Sequence, residues 1–245
     1  MRLVSYLNNG NEELAFCIGD KLYGTLDILG EWPVTMKEML DNWETFIGPM
    51  KQVNEDIKSG KLTPDSIPYT DAQILAPVTH PTSCRDGYAF RQHVAAARRN
   101  RKVDMIAEFD QYPIFYFTNH NAVQGPGEIP VMPDHLKKLD FELETAVVIC
   151  KKGRNIKASE ADQYIGGYMI MNDMSARTLQ MEEMLLNLGP AKGKDFSTVI
   201  GPMLVTPDEL EAYKIPAKPN HTGNAYNLKM TCTVNGVQVS AGNVG

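Results

Sequence analysis

The chain lacks the features that mark several large classes of protein. Its four cysteines, Cys17, Cys84, Cys150 and Cys232, lie far apart with no Cys-x-x-Cys pair. That spacing offers neither a zinc site nor a disulfide framework, and it fits a reducing cytoplasm. An excess of positive charge is also missing. The formal net charge is -6, which argues against a nucleic-acid or anionic-membrane partner, since both favour a basic surface. The one basic run, RRNRK from Arg98 to Lys102, is short and reads as a solvated helix end. No apolar stretch reaches the roughly 20 residues of a membrane span, and the opening MRLVSYLNNGNEE turns polar too early for a signal peptide to be expected. In that compartment the NHT sequon at Asn220 carries no meaning. There is no Gly-x-Ser-x-Gly nucleophile elbow and no His-Glu-x-x-His. GPAKGKDFSTVIGP is not a phosphate-binding loop. Its Gly-Lys pair is out of register after Gly189, and Asp195 stands where a hydroxyl residue is required. Internal repeats and low-complexity tracts are absent as well.

What is present is enough for a sizeable core: 245 residues, 43% of them hydrophobic. Residues 2 to about 28 alternate like short strands joined by turn-rich NNGNEE and GD. A helical spacing follows from Thr35 to about Gly60, and then the proline-rich stretch 62–83 reads as a linker. Beyond residue 84 strand-like segments dominate, including PIFYF, ELETAVVI, YIGGYMIMND, TVIGPMLVT and LKMTCTVNGVQVS. Helices are expected at Tyr88–Arg99, Ser159–Tyr164 and Ser175–Leu188, and Asn235-Gly236 is a two-residue hairpin signal. The expectation is a mixed, β-rich α+β fold with a small amino-terminal α/β domain over residues 1–70 and a main domain over 71–245.

Within LDFELETAVVIC, Glu142 and Glu144 are two positions apart in a strand and so leave the same face. At about 5 Å and an effective dielectric of about 20 their repulsion is on the order of 3 kcal/mol. Such a pair fits a solvated strand face or a pair of hard oxygen ligands for Mg²⁺, Mn²⁺ or Ca²⁺. In CRDGYAFRQHV, Asp86 and His93 are seven apart across an expected helix start, about 10 Å along one face. Asp86 reads as a helix cap or a ligand, and His93 as a packed histidine or a group flanking a substrate. Asp173 closes an apolar strand ahead of Arg177 and Gln180, which are three apart on one helical face, and reads as a turn residue or a ligand. Lys192 and Lys194 sit in a glycine-punctuated loop and read as exposed turn lysines.

Taken in order, RDGYAFRQHV, FELETAVVI, GRNI, YIGGYMIMNDMSAR and GKDFSTVIGPMLVTPDEL resemble the fumarylacetoacetate hydrolase family over roughly residues 75 to 211. The resemblance implies a β-roll catalytic domain, usually dimeric, holding a divalent cation: Mg²⁺, or Mn²⁺ or Ca²⁺. It implies Asp86, Glu142, Glu144 and Asp173 as metal ligands and His93 as the catalytic histidine. It further implies Lys194, Arg177 and Gln180 at substrate-contacting positions, with Lys194 and Arg177 also catalytic, and Thr198 beside the metal and substrate. The implied activity is hydrolysis of C–C bonds in small 2-oxo or diketo acids of the acylpyruvate or fumarylacetoacetate kind, as in aromatic catabolism. A decarboxylase, hydratase or isomerase on the same scaffold, or a non-catalytic cation-binding scaffold protein, are the alternatives. Two departures stand out: Thr118 or Asn119 replaces a lysine found in many bacterial members, and Gly245 falls where relatives continue with a helix and strand bearing Gly-Asp and Gly-Thr. The expectation is a chain cut short of a closed sheet, with strand edges left open.

Overall fold

The computed structural model describes residues 1–28, 30–100 and 102–245. The chain opens with a three-stranded meander, β1 (Arg2–Asn8), β2 (Asn11–Ile18) and β3 (Lys21–Gly24). Its turns place Asn9, Gly10 and Gly19 at positive φ, which is why NNG and GD punctuate the strands. Two helices follow, α1 (Met36–Asp41) and α2 (Trp43–Lys58). Thr35 caps the first through its side chain, and the chain breaks at Asn42 instead of running on as one helix. Next come β4 (Ile67–Pro68), β5 (Gln73–Ile74) and β6 (Cys84–Asp86). Then follow α3 (Arg91–Asn100), β7 (Tyr116–Thr118), β8 (Val123–Gln124) and α4 (Pro133–Leu136). The long strands β9 (Leu139–Ile149) and β10 (Ile165–Ala176) precede α5 (Arg177–Glu183) and β11 (Thr198–Val205). The chain finishes with β12 (Lys214–Ile215), β13 (Ala225–Tyr226), β14 (Lys229–Val234) and β15 (Val237–Asn243).

One sheet in the order β4-β3-β2-β1-β11-β10-β9 runs through both regions, with β5 paired to β1 and β8 to β11. Residue 70 therefore divides the chain without dividing the sheet, because β1 hydrogen-bonds β11 directly, Arg2 opposite Val205. One face of the sheet buries Leu3, Leu14, Phe16, Met169, Met171 and Leu204 against Met36, Met39, Met50 and Val53 of the two helices. The other face holds a smaller cluster of Val4, Tyr6, Ala15, Cys17 and Leu22. Period-two alternation in β1 and β2 serves both layers. The Asn235-Gly236 turn closes β14 on β15 with φ of 50° and 81°. That is the left-handed pair a tight hairpin demands.

Several expected boundaries move. The helix expected from Ser175 starts at Arg177, because Met174, Ser175 and Ala176 stay paired with Phe141, Asp140 and Leu139 of β9. It ends as α-helix at Glu183 and tightens to a 3₁₀ turn stopped by Asn187 at φ 59°. Residues 158–164 form a 3₁₀ helix. Asp86 belongs to a strand and not to a helix start, so the shared helical face expected for Asp86 and His93 does not exist. In the RRNRK run, Arg101 lies outside the described residues.

Candidate functional site

The face of the sheet that packs on α1 and α2 changes character along its strands. On β9 the same-face series runs Val148, Ala146, Glu144, Glu142, and on β10 it runs Met169, Met171, Asp173. Directly opposed residues share a face, and the register sets Ala146 beside Met169, Glu144 beside Met171 and Glu142 beside Asp173. On β11, Ile200 lies opposite Met171 and Thr198 opposite Asp173. The apolar end meets the helices, while the acidic end is reached by Tyr116 of the separate β6–β7 pair and by Lys194 of the 190–196 loop. Asp173 is 1% exposed, Thr198 2% and Lys194 3%.

Asp86, Glu144 and Asp173 each bring a carboxylate oxygen within 4.8 Å of the others. Tyr116 donates toward Asp86 Oδ2 at 3.0 Å and Asp173 Oδ2 at 2.9 Å. A phenol has one proton, so at any moment it donates to one of the two carboxylates. Burial raises Asp173 to about 7 against the opposing pull of Lys194, and burial with the neighbouring carboxylates raises Glu144 to about 9. The same surroundings push the Tyr116 phenol well up. Asp173 Oδ1 is buried with no hydrogen-bond partner, and Glu144 makes no hydrogen bond or ion pair among the described residues. Three clustered carboxylates, one of which has an unpartnered buried oxygen, fit a divalent cation of the Mg²⁺, Mn²⁺ or Ca²⁺ kind.

Glu142 goes elsewhere. Its Oε1 accepts from Arg177 Nη1 at 2.6 Å and meets Lys194 Nζ at 3.0 Å. Burial works to raise it, but the two cations outweigh burial and hold it below the usual carboxylate range. It is thus a charge partner in this structure and not a fourth member of the cluster. Lys194 also contacts Asp173 Oδ2 at 2.5 Å. This corrects the reading of Lys194 as an exposed turn lysine, while Lys192 on the same loop is exposed. Arg177 is further tied to Asp140 by Nε at 2.9 Å and donates to Gln180 Oε1 at 3.0 Å, as their spacing predicts. His93 is exposed on α3 and makes no hydrogen bond or ion pair among the described residues.

Tyr116 and Asp140 are the residues that sequence reasoning missed. In PIFYFT, Tyr116 and Thr118 turn inward while Phe115 and Phe117 face solvent. Hydroxyl-bearing residues two apart in a strand are the same signal that drew attention to Glu142 and Glu144. Thr118, at the position of the expected lysine, is buried with its hydroxyl unpartnered, and Asn119 donates to the Asp195 carbonyl. A recess of about 210 Å³ opens here, lined by Tyr116, Thr118, Asn119, Ala191, Lys194 and Asp195 among others.

The profile described as "Fumarylacetoacetate (FAA) hydrolase C-terminal" matches residues 82–245. The chain is 31% identical over 218 residues to the rat mitochondrial oxaloacetate tautomerase Fahd2a, covering 86% of this chain and 59% of the relative. It is 33% identical over 185 residues to human mitochondrial oxaloacetate tautomerase FAHD2A, covering 72% and 50%. The chain thus spans little more than half the length of these relatives. Among solved structures, a maleylpyruvate hydrolase from Sphingobium sp. SYK-6 in complex with manganese(II) and pyruvate matches with TM-score 0.64 at 19% identity, over 100% of this chain and 77% of that one. A 2-hydroxyhepta-2,4-diene-1,7-dioate isomerase from Mycobacterium marinum matches with TM-score 0.60 at 19% identity, over 100% and 75%. These likenesses are of fold. The profile match over two thirds of the sequence, together with the motifs that converge on one sheet face, makes the chain a member of the fumarylacetoacetate hydrolase family.

Proposed function

We propose that the protein is a divalent-cation-dependent enzyme that interconverts the enol and keto forms of a small 2-oxo or 1,3-dicarbonyl acid. The observation that carries this reading is the convergence of the Asp86, Glu144 and Asp173 carboxylates, Asp173 keeping one buried oxygen unpartnered. These three residues would hold the ion, Mg²⁺ or Mn²⁺ in preference to a soft metal. When bound, the cation supplies Lewis acidity that stabilises charge developing on an enolate oxygen. Five carboxylates, Asp86, Asp140, Glu142, Glu144 and Asp173, face only two cations, Lys194 and Arg177, so the fully ionised site repels an anionic substrate until its charge is offset. Lys194 lines the recess, and in this reading its ammonium offsets the charge of a substrate carboxylate bound there. Arg177 fixes Glu142 through two-pronged pairing with Asp140 and Glu142, and so keeps Lys194 in place. Asn119 and Thr118 offer polar atoms along the same wall.

A second reading is hydrolysis of a C–C bond in an acylpyruvate or fumarylacetoacetate-like acid, with His93 as the general base. The Asp86-to-His93 spacing of the family motif favours it, and it requires the exposed imidazole to approach the recess. We place either enzyme in the cytoplasm as a homodimer. Exposed Phe115 and Phe117, before and within β7, support the dimer, and sedimentation tests it. No helix among the described residues is long and apolar enough to cross a membrane.

The deciding experiment follows enol absorbance of oxaloacetate and cleavage of an acylpyruvate side by side, with Mg²⁺ or Mn²⁺ added. Ketonisation that Glu144→Gln abolishes and His93→Ala spares supports the first reading. Acylpyruvate cleavage lost in His93→Ala supports the second. Cation binding without turnover of any diketo acid leaves a binding scaffold and overturns both.

A further inference from the structure

Asp86 reaches the acidic end of the site from outside the main sheet. It is carried on β6, which pairs with β7 in a two-stranded sheet of its own, whereas Glu144 and Asp173 lie on β9 and β10. Directly opposite Asp86 in register stands Tyr116. Its phenol oxygen spans the gap, 3.0 Å from Asp86 Oδ2 and 2.9 Å from Asp173 Oδ2. Among the described residues no other side-chain hydrogen bond or ion pair joins this strand pair to β9 or β10, and Asp86 has no other polar partner. Three carboxylates held this close repel one another, and Asp86 is the one whose strand shares no ladder with β9 or β10. The first residue past Asp86, Gly87, already packs so tightly that an added Cβ would lie 2.4 Å from the Ile114 carbonyl oxygen.

We infer that Tyr116 is a positioning residue whose hydroxyl clasps the β6–β7 strand pair to β10, so that Asp86 joins Glu144 and Asp173 as a cation ligand only while the clasp is closed. The inference rests on the cation site proposed above. Its consequence is that Tyr116 controls affinity through Asp86 and not by touching the ion. Residues that orient metal ligands alter affinity by roughly tenfold to a hundredfold when removed.

Calorimetric titration of the full chain with Mn²⁺ tests this, with near-ultraviolet circular dichroism confirming the fold of each variant. Tyr116→Phe keeps the ring and should weaken Mn²⁺ binding about tenfold or more. Asp86→Asn should weaken it comparably, and the double variant should bind no more weakly than Asp86→Asn alone. Wild-type affinity in Tyr116→Phe, or losses that multiply in the double variant, would overturn the clasp. Asp86→Glu keeps the charge but displaces the oxygen from the phenol. It should bind as weakly as Asp86→Asn, and wild-type affinity there overturns the inference even where Tyr116→Phe fails to fold. Glu144→Gln separates the two levels. If it binds Mn²⁺ like the wild type, the cation site itself is wrong and the clasp falls with it. If Glu144→Gln loses binding while Tyr116→Phe keeps it, only the clasp is wrong.

Discussion

Lys194 and Asp173 form a buried ion pair at 2.5 Å, their side chains 3% and 1% exposed, with Glu142 Oε1 completing the contact at 3.0 Å. Replacing Lys194 by Met keeps the volume and leaves Asp173 without its cation, while Glu142 keeps Arg177. Breaking one side of such a pair costs about 3 kcal/mol or more. The loss should be full near pH 8 and smaller near pH 5, where Asp173 takes up a proton instead. Urea unfolding at the two pH values reads it, and an equal loss at both would show that the pair is not the cause.

The acidic cluster also sets a sign for pH dependence. Asp173, raised from 3.8 to about 7, and Glu144, raised from 4.5 to about 9, bind protons more tightly in the folded chain than in the unfolded one. Their contribution to stability is therefore greatest below about pH 4 and declines as pH rises through the folded values. A divalent cation has to displace those protons, so the gain in melting temperature on adding Mn²⁺ should be larger near pH 8 than near pH 6. Calorimetry in buffers of different ionisation enthalpy should register proton release on binding, and proton uptake would contradict the assignment.

Gly193 is where the lysine loop passes closest to α5. A Cβ there would meet Gln180 N at 2.6 Å and Gln180 Cα at 2.7 Å. The same residue donates to Glu183 Oε1 at 3.1 Å and accepts from Ala176 N at 2.8 Å. Gly193→Ala should displace Lys194, cost about 1–3 kcal/mol, and lower turnover by at least about tenfold through the misplaced ammonium. Lys192→Ala, on the exposed part of the loop, is the control that should leave both unchanged.

Leu204 lies at the apolar end of the face that carries Asp173 and is fully buried. Leu204→Ala should cost about 2–5 kcal/mol yet leave Mn²⁺ affinity within about twofold, since distant sites act independently. A chemical denaturation curve and a titration on the same sample check the two halves of the prediction.

What the sequence made legible is what depends on short-range geometry. The shared face of Glu142 and Glu144 follows from strand alternation, and the β14–β15 hairpin follows from Asn235-Gly236. The mates of those carboxylates depended on register between segments far apart in the chain. Nothing local tells Glu142 to pair with Arg177, 35 residues on, while Glu144 stays unpaired. Tyr116 reads as one more aromatic in PIFYF, because its partner Asp173 is 57 residues away. Asp86 was misplaced for a related reason. Asp followed by Gly resembles a helix entry, and only the pairing of Cys84–Asp86 with Tyr116–Thr118 makes it a strand.

The pairing of β1 with β11 bears on how the molecule comes together. Thr206 and Met1, 205 positions apart, exchange hydrogen bonds at the end of that pairing, and the strand so anchored carries Thr198 beside Asp173. A contact of such long sequence separation pays its loop-closure entropy before it returns any energy. The local hairpin β1–β2 and the β9–β10 pair can form early, whereas the seam joining them waits until β11 is available to pair with β1. During synthesis the acidic cluster would accordingly take shape only after β11 has emerged.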